Sequence, residues 1–149
     1  MAITLDGTDA VGDLGDALDA KADASALAAF MLAIAYERNS AGTASHFMAL
    51  GNGASACKGS GMPFAGKIVA ATLHGTATTG TITVDVTVDG TANTSYRLTG
   101  TGSASDINTT GDWRDAPLAF SAGAVLNFRQ TAVPTTSSGY VATLFVVFD

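Results

Sequence analysis

Residues Thr81-Ile82-Thr83-Val84-Asp85-Val86-Thr87-Val88 alternate between polar and apolar without a fault, and Asp89-Gly90 follows at once. Successive side chains of a strand point to opposite faces. Ile82, Val84, Val86 and Val88 therefore share one face, and the Thr and Asp residues share the other. The pattern predicts a half-buried strand of an antiparallel sheet. Asp-Gly is a hairpin signal, because Gly takes positive φ at no steric cost. Residues 93–98 are the expected returning strand.

Around this hairpin the spacing predicts further strands at residues 45–50, 67–74, 116–120, 125–130 and 140–148. The last reads Tyr-Val-Ala-Thr-Leu-Phe-Val-Val-Phe and is apolar on both faces. A strand of that kind lies between two layers or under another subunit. Residues 51–62 and 100–115 read as long Gly/Ser-rich loops, and residues 78–80 and 135–139 as shorter turns. No internal repeat is visible. About seven strands separated by turn signals predict a mainly β fold, a jelly-roll-like antiparallel β-sandwich.

The composition changes near residue 40. Before it lie Ala, Leu and Asp, and the pattern there is helical. Leu14 and Leu18 are four apart, and Leu27, Phe30, Met31 and Ile34 follow at i, i+3, i+4 and i+7, one apolar stripe. Ala fills the gaps and is the best helix former. Asp23 or Ser25 can cap the second stretch, Asp9, Asp13 and Asp16 suit the start of the first, and Gly42 can end the helix. The expected organisation is a helical anchoring or trimerisation segment over 1–42 and a β-sandwich knob over 43–149. The first stretch is too short and polar to be stable alone in water. The longest apolar run, residues 26–35, is half the length needed to cross a bilayer, so it reads as a buried or interface helix. Six Asp and a lone Lys21 in residues 1–23 are unlike a secretory leader, which opens with positive charge.

Charge narrows the function classes. The net charge is −6 with only seven Lys and Arg, which argues against a nucleic-acid binder. Only 13% of residues are charged, roughly half the usual fraction of about 25%. The lone Cys57 excludes a disulfide scaffold and any multi-thiolate zinc site, and fits a chain made in a reducing cytoplasm.

No constellation of residues announces catalysis, a cofactor or a metal. His46 and His74 are far apart and read as structural or interface residues. Cys57 has Lys58 beside it but no base in any recognisable pattern, so it reads as a small loop residue. Asp106, Asp112 and Asp115 lie in a Gly-rich stretch beside Arg114, where turn and ion-pair roles suffice. Gly51-Asn52-Gly53 and Gly59-Ser60-Gly61 lack the Lys-Ser/Thr of a phosphate loop. Trp113 and Arg114 are the most conspicuous loop pair, since Trp and Arg are favoured interface anchors; the competing role for Trp113 is to plug one end of the sandwich. Tyr96 and Arg97 form a similar pair.

Three stretches then resemble a known group. Lys21-Ala22-Asp23-Ala24-Ser25-Ala26-Leu27 looks like the short linkers of tailed-phage fibre and virion proteins. Met62-Pro63-Phe64-Ala65-Gly66-Lys67-Ile68-Val69, followed by the Gly80–Gly90 alternation, resembles phage β-sandwich domains. Phe120-Ser121-Ala122-Gly123-Ala124-Val125-Leu126 resembles their later turn, with Ala124 in place of the usual Asp. The likeness spans about residues 14–30 and 62–149. It implies a homotrimeric virion protein made in the host bacterial cytoplasm. One version is a capsid decoration (cement) protein on the outer surface of the head, partnered by the major capsid protein. Its oligomer or capsid contacts would be Leu14, Leu18, Leu27, Phe30, Met31 and Ile34. The other version is a tail-fibre tip that binds a host-surface glycan through Tyr96, Trp113 and Arg114. Neither implies nucleic acid, membrane, metal or cofactor.

Overall fold

The alternating segment is a strand, but it is only the second half of one. The computed structural model describes residues 31–38 and 59–149, all within one compact unit, Met31–Asp149. The strands are β1 (Met31–Arg38), β2 (Ser60–Gly61), β3 (Gly66–Val88), β4 (Thr91–Asp112), β5 (Leu118–Phe120), β6 (Val125–Ala132) and β7 (Gly139–Phe148). All pairings are antiparallel. The order is β1-β7-β3-β6-β2, with β4 and β5 also on β3, and the sheet is barrel-like. There is no helix among the described residues.

The 23-residue β3 organises the sheet. Its first half pairs with β7 and its second half with β6, while β4 follows it along nearly all its length. Asp89 and Gly90 both take positive φ, as the tight primed hairpin turn requires. The Asp89 carboxylate also accepts from the Val125 N–H at 2.8 Å, tying the turn to the start of β6.

Two expectations on this hairpin are corrected. Residues 78–80 do not end a strand; they are where β3 bulges and bends, with register shifts between Gly75 and Thr79. Residues 100–112 are not a loop, because β4 continues through them to Asp112. Gly there is a sign of close packing and not of a loop. Ile107 fills the inside of the bend, and a Cβ on Gly100 or Gly102 would lie 2.8 or 3.1 Å from its side chain. The loop after β6 straps the bend through Thr79 N–H to Thr136 C=O (2.9 Å) and Thr135 N–H to Thr79 C=O (2.8 Å).

The helical reading of Met31 and Ile34 is also corrected: both lie in β1. Met31–Arg38 pairs with β7 over eight consecutive residues, Met31 opposite Val147 and Arg38 opposite Tyr140. The sequence Leu32-Ala33-Ile34-Ala35-Tyr36 supports two periods. The helical stripe through Leu27, Phe30, Met31 and Ile34 is one, and the alternation of large residues with Ala is the other. Burial selects the second, with Ile34 and Tyr36 buried and Ala33 and Ala35 exposed. Leu14, Leu18, Leu27, Phe30, the strand expected at residues 45–50, His46 and Cys57 lie outside the described residues.

The core gathers Ile34, Tyr36, Ile68, Leu73, Ile82, Val84, Val86, Leu98, Leu126, Phe128, Leu144 and Val146. Tyr36 bridges strands that are not neighbours in the sheet. Its hydroxyl donates to the Leu126 carbonyl of β6 at 2.6 Å, and its ring meets Phe128 edge-on with centroids 5.7 Å apart. This contact brings β1 round to β6.

The polar face of the alternating segment is buried further than its pattern implies. Asp85 is 1% exposed and takes a forked pair of bonds from Arg97 at 2.6 and 2.9 Å. A buried carboxylate is tolerated only when paired in this way. Thr81 with Thr101 and Thr83 with Thr99 form cross-strand hydroxyl pairs beside it. Thr87 Oγ1 and Asn127 Nδ2, on residues opposite one another in the β3–β6 register, are buried without a hydrogen bond.

Candidate functional site

Two places in the sheet gather residues with recognition chemistry. The first is where the start of β4 meets the turn that follows its end. In the β3–β4 register Asp85 faces Arg97 and Val86 faces Asn93. Three residues, Thr94, Ser95 and Tyr96, therefore have no partner on β3 and bulge outward, which places Tyr96 against Trp113. The rings meet edge-on at 76° with centroids 5.2 Å apart. Edge-to-face is the arrangement that aromatic quadrupoles favour. The Tyr96 hydroxyl donates to the Ala116 carbonyl at 2.9 Å. The backbone N–H of Trp113 donates to Val69 C=O at 2.8 Å, holding the turn on β3.

The indole covers Gly111. A Cβ there would lie 2.6 Å from Trp113 Cζ2 and 3.0 Å from Leu98 Cδ2. Trp113 is thus half-buried, with one side on the sheet. Arg114 extends from the same turn and forks onto Asp112 at 2.6–3.1 Å. Its guanidinium, as hydrogen-bond donor, holds the Asp112 carboxyl down at about 2. Both side chains are largely exposed, so solvent screens the pair and it contributes little to stability. Of the three expected recognition residues, Tyr96 and Trp113 are in contact, and Arg114 follows Trp113 in the same turn. The site pairs an aromatic surface with an exposed guanidinium–carboxylate pair, a chemistry suited to stacking and hydrogen bonding with a polar partner.

The second place is the outer face of β1, β7 and β3, the side away from the core. Met31 sits on this face and is 60% exposed; Ile34 points inward. At the far end from Met31 lies a shallow cleft of about 190 Å³ lined by Glu37, Arg38, His74, Thr76, Tyr140 and Val141. Tyr140 closes its inner side and donates to Gln130 Oε1. Burial pushes the Tyr140 phenol up to about 12, against smaller opposing effects of Arg38 and Gln130.

The sign of that shift gives a pH prediction. The folded state holds the phenol proton more tightly than the unfolded chain, whose tyrosines titrate near 10. Stability from this group is complete below pH 10 and lost as the pH rises through about 12. Denaturation midpoints of Tyr140→Phe should decline less steeply between pH 10 and 12 than those of the parent protein. Equal slopes would contradict the assignment.

Sequence reasoning missed the Asp85–Arg97 pair, although the alternation that places Asp85 on the polar face and the Arg97 of the returning strand were both visible. It did anticipate the Asp112–Arg114 ion pair. Asp106 has a separate task, accepting the Ala77 N–H at 3.0 Å at the bend of β3. Among the described residues no three His, Cys, Asp or Glu side chains come together as metal ligands would, and no helix is long and apolar enough to cross a membrane. No family model matches the chain, and no curated protein matches its sequence.

Proposed function

We propose that this protein is a structural component of a tailed-phage particle, a capsid decoration protein. It trimerises on the outer surface of the head and stabilises contacts between major capsid subunits. Its knob is a jelly-roll-like β-sandwich built on the antiparallel sheet, with β1 included. A helical N-terminal segment carrying Leu14, Leu18, Leu27 and Phe30 anchors it. The reading assigns it no catalysis, metal or cofactor.

The observation that carries this reading is β7. Its inward residues Ala142, Leu144 and Val146 are buried in the core. Its outward residues Val141, Phe145 and Val147 are also apolar yet only half-covered. A soluble sheet normally turns polar residues outward. Here the outer face is built as though a further layer lies on it, which fits a protein that works in an assembly. The phage-like motifs noted in the sequence supply the kind of assembly.

The Tyr96–Trp113 pair favours a second reading, a fibre tip that binds host-surface glycan. A density map of the virion separates the two. Density for this chain at capsid three-fold positions supports decoration, and density at the tail supports the fibre tip. Trp113→Ala should leave capsid attachment intact under the first reading. Loss of host-cell binding by that variant would favour the second.

A further inference from the structure

We propose that the outer face of β4, β3 and β6 around Asp85 binds the carboxylate of an acidic sugar, held by Arg97 and Arg129. The site uses neither the outer face of β7 nor the Tyr96–Trp113 rings, and it does not depend on the capsid reading.

The register brings two arginines to one carboxylate. Asp85 of β3 lies opposite Arg97 of β4 and opposite Arg129 of β6. Directly opposed residues share a face, so these three side chains lie on the side away from Val84, Val86 and Phe128, which belong to the core. Both carboxylate oxygens of Asp85 are engaged by Arg97, at 2.6 and 2.9 Å. The Asp85 side chain is 2% exposed and that of Arg97 is 42% exposed. Asp85 is therefore a buried anchor. It fixes the plane of the guanidinium through Nε and Nη2 and leaves the Nη1 donors for another acceptor. A fork oriented in advance loses less freedom on binding. Arg129 is half-buried and makes no ion pair among the described residues.

One carboxylate between two guanidiniums leaves an excess of positive charge. The adjoining rows supply no acid to cancel it. They are Thr99–Thr83–Ala132 on one side and Ala92–Thr87–Asn127 on the other. Asp89 is four residues further along the chain, about 13 Å away in extended backbone, and its carboxylate is turned to the Val125 N–H. In a chain of net charge −6 this spot is a local exception. Guanidinium forks favour a planar oxyanion that can take two parallel N–H bonds.

The hydroxyls beside the cations say which carboxylate. Thr99 and Thr101 follow Arg97 on the same face and meet Thr83 and Thr81 at 3.1 and 2.9 Å. Thr81, Thr99 and Thr101 are exposed. Each hydroxyl pair spends one hydrogen on itself and keeps another for a ligand. Successive rows on one face are about 6.6 Å apart, so a pyranose ring whose carboxylate sits on the arginines reaches Thr99. An acidic side chain of a protein would leave these hydroxyls unused.

The test is an NMR titration of the isotope-labelled full chain with glucuronate. The Arg97 and Arg129 Nε–H signals should shift and saturate, with half-saturation at about millimolar concentration, and glucose should move neither. Arg129→Gln should weaken binding by about tenfold or more. Arg129→Lys keeps the charge but not the fork and should weaken it as well, which also serves if the first variant fails to fold. Lys67→Gln removes the same charge from an exposed position outside the site and should bind like the parent protein. Equal weakening by Lys67→Gln would mean a general effect of charge and overturn the site. Shifts that never saturate, or that persist unchanged in both Arg129 variants, would overturn it too. N-acetylaspartate bound as tightly as glucuronate would overturn the choice of a sugar acid. None of these failures touches the capsid reading, which the virion map tests.

Discussion

Tyr36→Ala should lower unfolding stability by about 3–5 kcal/mol, the range for removing a large buried aromatic side chain. Tyr36 is fully buried and is the link between β1 and β6, strands ninety residues apart along the chain at this contact. Its loss opens a cavity beside Phe128 and removes the bond to the Leu126 carbonyl. Tyr36→Phe separates the two contributions. It keeps the ring and its edge-on contact with Phe128 but strands the carbonyl, at a cost of roughly 1–2 kcal/mol. Urea denaturation of the three proteins checks both values. A Tyr36→Ala loss under 1 kcal/mol would mean that β1 does not close onto β6.

Gly102→Ala should be the most damaging of the single-methyl additions in the β3–β4 bend. The added Cβ would lie 2.5 Å from the Thr78 carbonyl oxygen and 3.1 Å from Ile107 Cγ2. The first neighbour is backbone on the adjoining strand, so relief requires the hairpin to shift. Overpacking of this kind costs about 1–3 kcal/mol or more. Gly61→Ala is the control, because a Cβ there meets nothing within 4 Å. Equal denaturation midpoints for the two variants would contradict the close approach of β3 and β4 at the bend.

These two sites mark the boundary of what sequence reading could reach. The hairpin at Asp89-Gly90 was legible because its signals are local: a strict period of two, and a turn dipeptide that takes positive φ. The strands at residues 67–74, 125–130 and 140–148 were also legible locally, as short apolar-rich runs bounded by turn residues. The bend was not. Gly100 and Gly102 read as loop residues because glycine is common in loops, whereas here they leave room for Ile107 within a continuous strand. The candidate site divides similarly. Trp113 and Arg114 stood out as neighbours in sequence, and their residue types point to recognition. That Tyr96 joins them depends on three unpaired residues in β4, and no local pattern announces a bulge.

The amino-acid sequence by itself determined the β character of the chain beyond residue 60, the tight turn, the acidic net charge and the two-faced apolarity of β7. Each follows from properties of a few adjacent residues or from composition. Only the tertiary structure decided that Met31–Arg38 is a strand, that Asp85 is buried against Arg97, and that β1 reaches β6. Residues 31–36 satisfy the helical and the extended period about equally, and pairing along the full length of β1 with β7 tips that balance. Asp85 lies on a face that alternation marks as polar, and only the approach of a second strand buries its carboxylate beneath an exposed arginine. Local preference is settled within a turn or two of chain; burial and register are settled by partners far away in sequence.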